Sequence, residues 1–108
     1  MSAFFVYITA SDKAEALQIA RALVDSRYAA CANVCEKVTS VYRWEGQLRE
    51  DTESVLIVKT RAELLSPLIE KVNTMHSYDC PCIVALPIHD GNPEFLDWIE
   101  TETRDVGA

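Results

Sequence analysis

The chain has 108 residues, 49% of them hydrophobic, and no long polar tract. This length and composition favour one globular domain, residues 1–108, that buries roughly two-thirds of its unfolded surface. The net charge of -7, with only 10 Lys and Arg residues and no basic run, argues against a nucleic-acid or anionic-lipid partner.

The start of the chain lacks a charged leader segment, and no apolar run approaches the length of about 18 residues that a membrane helix needs. We therefore expect a cytoplasmic protein without a membrane partner. In that compartment the four cysteines should stay reduced, and their apolar neighbours predict buried thiols.

Two elements are predicted at the start of the chain. Residues 3–9 are almost continuously apolar, which indicates a strand buried on both faces. Asp12 followed by Glu15 predicts a capping box and a helix start. Apolar residues then recur at helical period up to about Tyr28, which predicts one face packed on a sheet: Ala16, Leu17, Ile19, Ala20, Leu23 and Val24.

A long β-hairpin, residues 34–60, is the most informative feature of the sequence. Residues 34–44 and 48–60 are rich in strand-forming side chains and meet at a short turn that contains Gly46. The arms would extend about 36 to 43 Å, whereas a globule of this length has a radius of gyration of about 13 Å. We therefore expect another subunit to cover part of the hairpin.

A second helix is predicted after the hairpin. Thr60 and Glu63 form a possible capping box, and a helical stripe follows. Pro67 would cost about 3 kcal/mol inside a helix, so we expect either a short first turn and a restart with Ser66 as the cap, or a kink. The stripe consists of Leu64, Leu65, Leu68, Ile69, Val72 and Met75.

The last elements are a short strand and a helix. Residues 82–86 form an apolar run between Pro81 and Pro87, and Asn92-Pro93 predicts the start of a helix. The complete order is βαββαβ plus one helix, which predicts an α+β sandwich of ferredoxin-like type. The final helix carries Phe95, Leu96, Trp98 and Ile99.

Four separated segments of the sequence form one specific pattern. They are Ala-Ala-Cys-Ala-Asn at 29–33, Val-Thr-Ser-Val-Tyr-Arg-Trp-Glu-Gly at 38–46, Leu-Ile-Val-Lys-Thr at 56–60 and Ala-Leu-Pro-Ile at 85–88. With these segments the chain closely resembles the CutA divalent-ion tolerance proteins over nearly its whole length.

The resemblance implies a ferredoxin-like subunit in a tight homotrimer, similar in architecture to the PII signalling proteins, with hairpins that pack across subunits. It also implies a link to divalent metals, copper above all. We predict that the end of the hairpin lies in the trimer interface, where Trp is enriched. These interface residues are Tyr42, Trp44, Glu45 and Gly46.

The segment after the second helix matches a family region that is associated with copper. Here Ser77 replaces the family proline and Cys82 the family glutamate. The change creates a Cys80-x-Cys82 pair close to His76 and the Met75 thioether, a soft ligand set suited to Cu(I) or Zn(II). We predict a copper or zinc site there; alternatively, both thiols are buried apolar groups and His76 caps the helix.

Cys31 is a further candidate metal ligand, since Cys35 could supply a second thiol beside it. The alternative, which an apolar setting favours, is that both thiols belong to the core.

A basic pair suggests a different kind of site. Lys59, placed next to a helix start, and Arg61 would form an anion site in a subunit cleft, with Tyr78 in the same cleft. The alternative is a salt bridge to Glu53 or Glu63.

Three functions compete. A metal-binding tolerance trimer is favoured, and a PII-like regulatory trimer with a small anionic ligand is the alternative. An enzyme comes last, because no nucleophile, base and orienting group occupy recognisable positions. His89 lies in a predicted loop, where we expect it to be exposed.

Overall fold

The computed structural model describes residues 2–105. Its element order confirms the predicted βαββαβ pattern with an additional helix. The elements are β1 (Ala3–Ala10), α1 (Lys13–Asp25), β2 (Cys31–Trp44), β3 (Gln47–Arg61), a 3-10 turn (Ala62–Leu64), α2 (Leu65–Met75), β4 (Ile83–Pro87) and α3 (Pro93–Glu102).

The four strands form one antiparallel sheet in the order β2-β3-β1-β4. This order is that of a ferredoxin-like fold, so the predicted α+β class is confirmed. The core lies between the sheet and helices α1 and α2, because side chains of all these elements are fully buried together. They include Val6, Ile8, Ile19, Leu23, Leu56, Val58, Leu68 and Val72.

The sheet face opposite α1 and α2, here the open face, has less cover. Phe5, Tyr7 and Ile57 on this face are only partly buried, and Val84 and Leu86 on the edge strand are half exposed. The prediction that β1 is buried on both faces is therefore wrong for the isolated chain. Its apolar pattern reflects a face that the described residues cover only in part.

The hairpin projects from the body of the molecule. Glu45 and Gly46 form a two-residue turn with φ of 50° and 77°, the arrangement that matches the twist of paired strands. Residues 41–52 are all exposed, and the molecule measures 45 × 27 × 23 Å with a radius of gyration of 14.5 Å. One chain therefore leaves the outer part of both arms uncovered, as the length argument predicted.

The predicted start of the second helix needs correction. Thr60 does not cap a helix: it lies in β3, fully buried, and its hydroxyl donates to the Tyr28 carbonyl at 2.6 Å. A 3-10 turn separates β3 from α2, which has no side-chain cap, so Ser66 is not the cap either. Pro67 is tolerated because it lies in the first helical turn, where a backbone N–H has no partner within the helix.

Other local signals behave as expected. Asp12 caps α1 by accepting from the Glu15 N–H at 2.8 Å, and Asn92 caps α3 with Pro93 in its first turn. The strand predicted at 82–86 lies one residue later. Among the described residues, no helix is long and apolar enough to cross a membrane.

Candidate functional site in the hairpin cavity

The thiols predicted as metal ligands lie at the surface of the chain. Cys80 and Cys82 are exposed, Cys35 is exposed and Cys31 is partly buried. The prediction of four buried thiols is therefore wrong for the isolated chain, because three of them sit outside the helix-covered core. An exposed thiol is accessible to a metal ion, whereas a core thiol is not.

His76 occupies a structural position at the end of α2. Its backbone N–H caps the helix by donating to the Val72 carbonyl. In its ring, Nε2 lies 2.7 Å from the Thr9 carbonyl oxygen and Nδ1 lies 3.1 Å from the Tyr78 backbone nitrogen. Since a carbonyl only accepts and an amide N–H only donates, Nε2 carries the proton and Nδ1 accepts. A metal at either nitrogen would replace one of these bonds.

A carboxylate fixes the segment that follows His76. Glu15 accepts hydrogen bonds from the Ser11 N–H at 2.9 Å and from the Ser77 N–H at 2.9 Å. Partial burial alone would raise the pKa of Glu15, but the bonds from these two serines outweigh it and lower the pKa from 4.5 to about 2. The start of α1 and the end of α2 are therefore joined through one charged side chain.

The predicted metal ligands do not converge in one chain. Met75 is partly buried against the helix–sheet core, and Cys31 lies beside Lys59, away from Cys82, which lies beside Thr9. Partial burial raises the pKa of the Cys31 thiol, an effect that Lys59 partly offsets. No three His, Cys, Asp or Glu side chains among residues 2–105 could together hold a metal ion. Ligation by these residues stays a prediction.

In the structure, the two basic residues of the predicted anion site have separate partners. Lys59 lies within β3, not at a helix start, and its ammonium group donates to the Asn33 side chain. Arg61 is nearly buried, and its guanidinium donates to Thr103 Oγ1 at 3.0 Å. These contacts leave two basic groups already partnered within the chain.

Arg61 and Tyr78 lie at opposite ends of the sheet. Arg61 pairs with Ala3 at the start of β1, and its guanidinium is 3.7 Å from Glu63, the salt bridge considered as the alternative. Tyr78 donates to Glu53 Oε2 at 2.8 Å, beyond the other end of β1. Within one chain, the three residues predicted to share a subunit cleft are therefore not brought together; a cleft formed by different subunits stays a prediction.

Tyr78 instead belongs to a concave site that we call the hairpin cavity. It has a volume of about 540 Å³ and lies between the outer hairpin, residues 40–53, and the segment after α2. Its lining combines three aromatic rings with carboxylates and two thiols: Thr9, Ser40, Tyr42, Trp44, Arg49, Asp51, Glu53, Tyr78, Asp79, Cys80 and Cys82.

The electrostatic field in the hairpin cavity is negative. Partial burial and the hydrogen bond to Glu53 raise the pKa of Tyr78, and the hydrogen bond to Asp51 raises the pKa of Tyr42. Burial and the Glu53 charge likewise raise the pKa of Cys82. Tyr78 and Cys82 resist losing a proton mainly because they are partly buried, and Tyr42 mainly because it donates to Asp51; nearby carboxylates add to the effect in all three cases.

Two of the four predicted interface residues line this cavity, and the other two form the turn beyond it. Tyr42 and Trp44 are 38% and 49% exposed, which leaves large aromatic surfaces in water. Glu45 and Gly46 are exposed at the tip. Their role in a trimer stays a prediction.

Sequence reasoning missed the roles of Asp51, Glu53 and Glu15. The sequence does contain a signal that Asp51 and Glu53 lie together: they are two residues apart in a predicted strand, and such side chains share a face. Among the hairpin carboxylates, only Glu45, as an interface residue, and Glu53, as a possible salt-bridge partner, are assigned a role from the sequence. The contacts of Glu15 with Ser77 join residues 62 positions apart and leave no local pattern.

His89 is exposed, as expected.

Known proteins are similar to this chain over most of its length. The family model described as CutA1 divalent ion tolerance protein matches residues 4–102. The "Divalent-cation tolerance protein CutA" of Thermus thermophilus is 47% identical over 98 residues, which cover 91% of this chain and 95% of that protein. "Protein CutA, chloroplastic" of Arabidopsis thaliana is 42% identical over 92% of this chain, which spans only 54% of that relative.

A solved structure extends the likeness to three dimensions. The crystal structure of CutA1 from Oryza sativa superimposes with a TM-score of 0.95 at 39% identity, and the match covers 98% of this chain and 97% of that one. The two chains therefore share the same fold over nearly their whole lengths. The chain belongs to the CutA1 divalent ion tolerance protein family.

Proposed function

We propose that the chain acts in tolerance to divalent metal ions and binds copper directly, with zinc as a second candidate. The family match across residues 4–102 supports this role most strongly. The Thermus thermophilus relative is named for the same role, as a divalent-cation tolerance protein. Both names describe tolerance to divalent ions.

The chemistry of the exposed thiols supports copper as the metal. Cys80 and Cys82 line one cavity, and thiolates select soft ions such as Cu(I). Two thiolates fall short of the four ligands of a structural zinc site, so zinc would need further ligands. His76 fits less well, because both ring nitrogens are already hydrogen-bonded.

We also propose that the functional unit is a homotrimer. The open face presents Val84 and Leu86 half exposed, and the outer hairpin exposes Val41, Trp44 and Leu48. Burying apolar surface stabilises by about 25 cal/mol per Å², so a second and third copy would gain from covering both surfaces. A cytoplasmic location is part of this proposal and rests on the sequence alone.

A Cu(I) competition titration with a chelator tests the metal proposal. Wild-type protein should bind tighter than about micromolar, and Cys80→Ser with Cys82→Ser should weaken binding by about 100-fold or more, because soft ligands are replaced by hydroxyls. Cys35→Ser is the matched control, since it removes another exposed thiol and should leave affinity unchanged. Unchanged metal stoichiometry in a His76→Ala, Cys80→Ser, Cys82→Ser variant would falsify the site.

A PII-like anion-binding function is not favoured. Its two proposed cations, Lys59 and Arg61, already donate to groups within the chain. An added anion would have to compete with those bonds.

A further inference from the structure

Cys80 and Cys82 lie in the connection between α2 and β4, here the thiol loop (residues 77–82). Both ends of this loop are attached to the end of β1. Before the loop, the His76 ring donates from Nε2 to the Thr9 carbonyl at 2.7 Å. At its last residue, the Cys82 carbonyl accepts from the Thr9 N–H at 3.3 Å. The thiols are therefore carried by a short loop with fixed ends.

Glu15 on α1 adds an anchor at the first residue of the thiol loop. Its Oε1 accepts from the Ser11 N–H at 2.9 Å and from the Ser11 hydroxyl at 3.0 Å, and its Oε2 accepts from the Ser77 N–H at 2.9 Å. Hydrogen bonds to an ionised carboxylate are stronger than those between neutral groups. Because both oxygens are engaged, the carboxylate holds Ser77 from a fixed position of its own.

The middle of the thiol loop has little other support. Tyr78 is held through its backbone N–H and its hydroxyl. Residues 79–81 form no hydrogen bond with any other residue of the described range 2–105, and Cys80 is exposed. Segments with few contacts and exposed backbone open most readily. The anchors at the ends therefore determine how many positions the Cys80 thiol can adopt.

A loop that is already ordered binds an ion without the further loss of conformational entropy that a mobile loop incurs. We propose that Glu15 is a positioning residue for Cu(I) binding: by holding the Ser77 N–H, it keeps Cys80 and Cys82 in the arrangement that one ion requires. The inference rests on the proposed copper site, although Glu15 itself does not bind the ion. The bond joins two parts of one chain, so it needs no partner subunit.

Two measurements on Glu15→Gln test the proposal. In the Cu(I) competition titration, affinity should fall about fivefold, while the stoichiometry stays the same because no ligand is removed. In the metal-free protein, hydrogen exchange at the Ser77 amide should become about tenfold faster, since its charged acceptor is lost. Glu70→Gln is the matched control: it removes the same charge from an exposed position of α2 and should change neither quantity.

Ser77→Pro separates positioning from a general loss of stability. Proline has no N–H for Glu15 to hold, and its ring fixes φ near about −65° without a partner. His76 has φ of −76° and ψ of 142°, the extended conformation that a residue before proline prefers. The Ser77→Pro protein should therefore keep its Cu(I) affinity within about twofold, and adding Glu15→Gln should then have no further effect.

Three results would overturn the proposal: unchanged affinity in Glu15→Gln, unchanged exchange at the Ser77 amide, or an equal loss of affinity from Glu15→Gln with Ser77 and with proline at that position. If the wild-type protein binds no Cu(I), the proposed metal function fails instead. The exchange measurement needs no metal, so it still decides whether Glu15 orders the thiol loop.

Discussion

At the scale of single residues, the Glu15 carboxylate joins two segments that are distant in the sequence. It links Ser11 before α1 to Ser77 after α2, while the backbone N–H of Glu15 is capped by Asp12. The segment that leads to Cys80 and Cys82 is therefore held by a charge. The position of this segment should depend on whether the Glu15 carboxyl group is ionised.

Glu15→Gln tests this dependence through the free energy of unfolding. The pKa of Glu15 is lowered from 4.5 to about 2, so its stabilisation is complete above about pH 4.5 and is lost as the pH falls to about 2. We expect the variant to be less stable by about 1 kcal/mol at pH 7, since solvent screens this largely accessible group. The gap should shrink below pH 4.5.

Urea unfolding at pH 7 and pH 3 measures this gap, with Glu70→Gln on the exposed face of α2 as the control. A gap that stays constant between the two pH values would contradict an electrostatic role for Glu15.

Thr60 supplies a second residue-scale prediction. Its buried hydroxyl donates to the Tyr28 carbonyl at 2.6 Å, and Thr60→Val would leave that carbonyl without its partner. Such a loss costs about 1 to 3 kcal/mol. Thermal unfolding should show this loss, whereas Thr52→Val at an exposed hairpin position should change stability by less than about 0.5 kcal/mol; equal effects would refute the role of the hydroxyl.

At the scale of elements, the hairpin turn can be tested separately from its packing. Gly46 has φ of 77° and an added Cβ would meet no atom within 4 Å. Any cost of Gly46→Ala is therefore conformational, about 1 kcal/mol, because L residues disfavour this backbone region. Glu45→Gly should stabilise the turn, since Glu45 also has positive φ. Chemical denaturation measures both, and a neutral Gly46→Ala would contradict the conformational argument.

The helices, strands and turns also show which structural features can be predicted from the sequence. The caps Asp12 and Asn92 and the turn at Gly46 were predicted correctly, because each depends on residues close in the chain. The prediction that Thr60 caps a helix is wrong because its hydroxyl donates to a carbonyl 32 residues away. The His76 ring was predicted as a ligand, but its contact with Thr9 spans 67 residues. Partners created only by the fold leave no local pattern.

At the scale of the whole molecule, exposed apolar surface supports assembly. Trp44 at the end of β2 is 49% exposed. We expect Trp44→Asp to dissociate the proposed trimer, because a charge would be buried without a partner. Gln18→Asp, on an exposed position of α1, should leave the assembly intact. Sedimentation velocity compares the two, and an intact Trp44→Asp trimer would remove Trp44 from the interface.

Native mass spectrometry of untagged protein, with and without added Cu(I), tests the proposed metal-binding homotrimer most directly. We predict a particle of three 12.1 kDa chains that retains copper, and a Cys80→Ser, Cys82→Ser variant that remains trimeric but loses the metal. A 12.1 kDa monomer, or a trimer whose copper content does not change in that variant, would contradict the account.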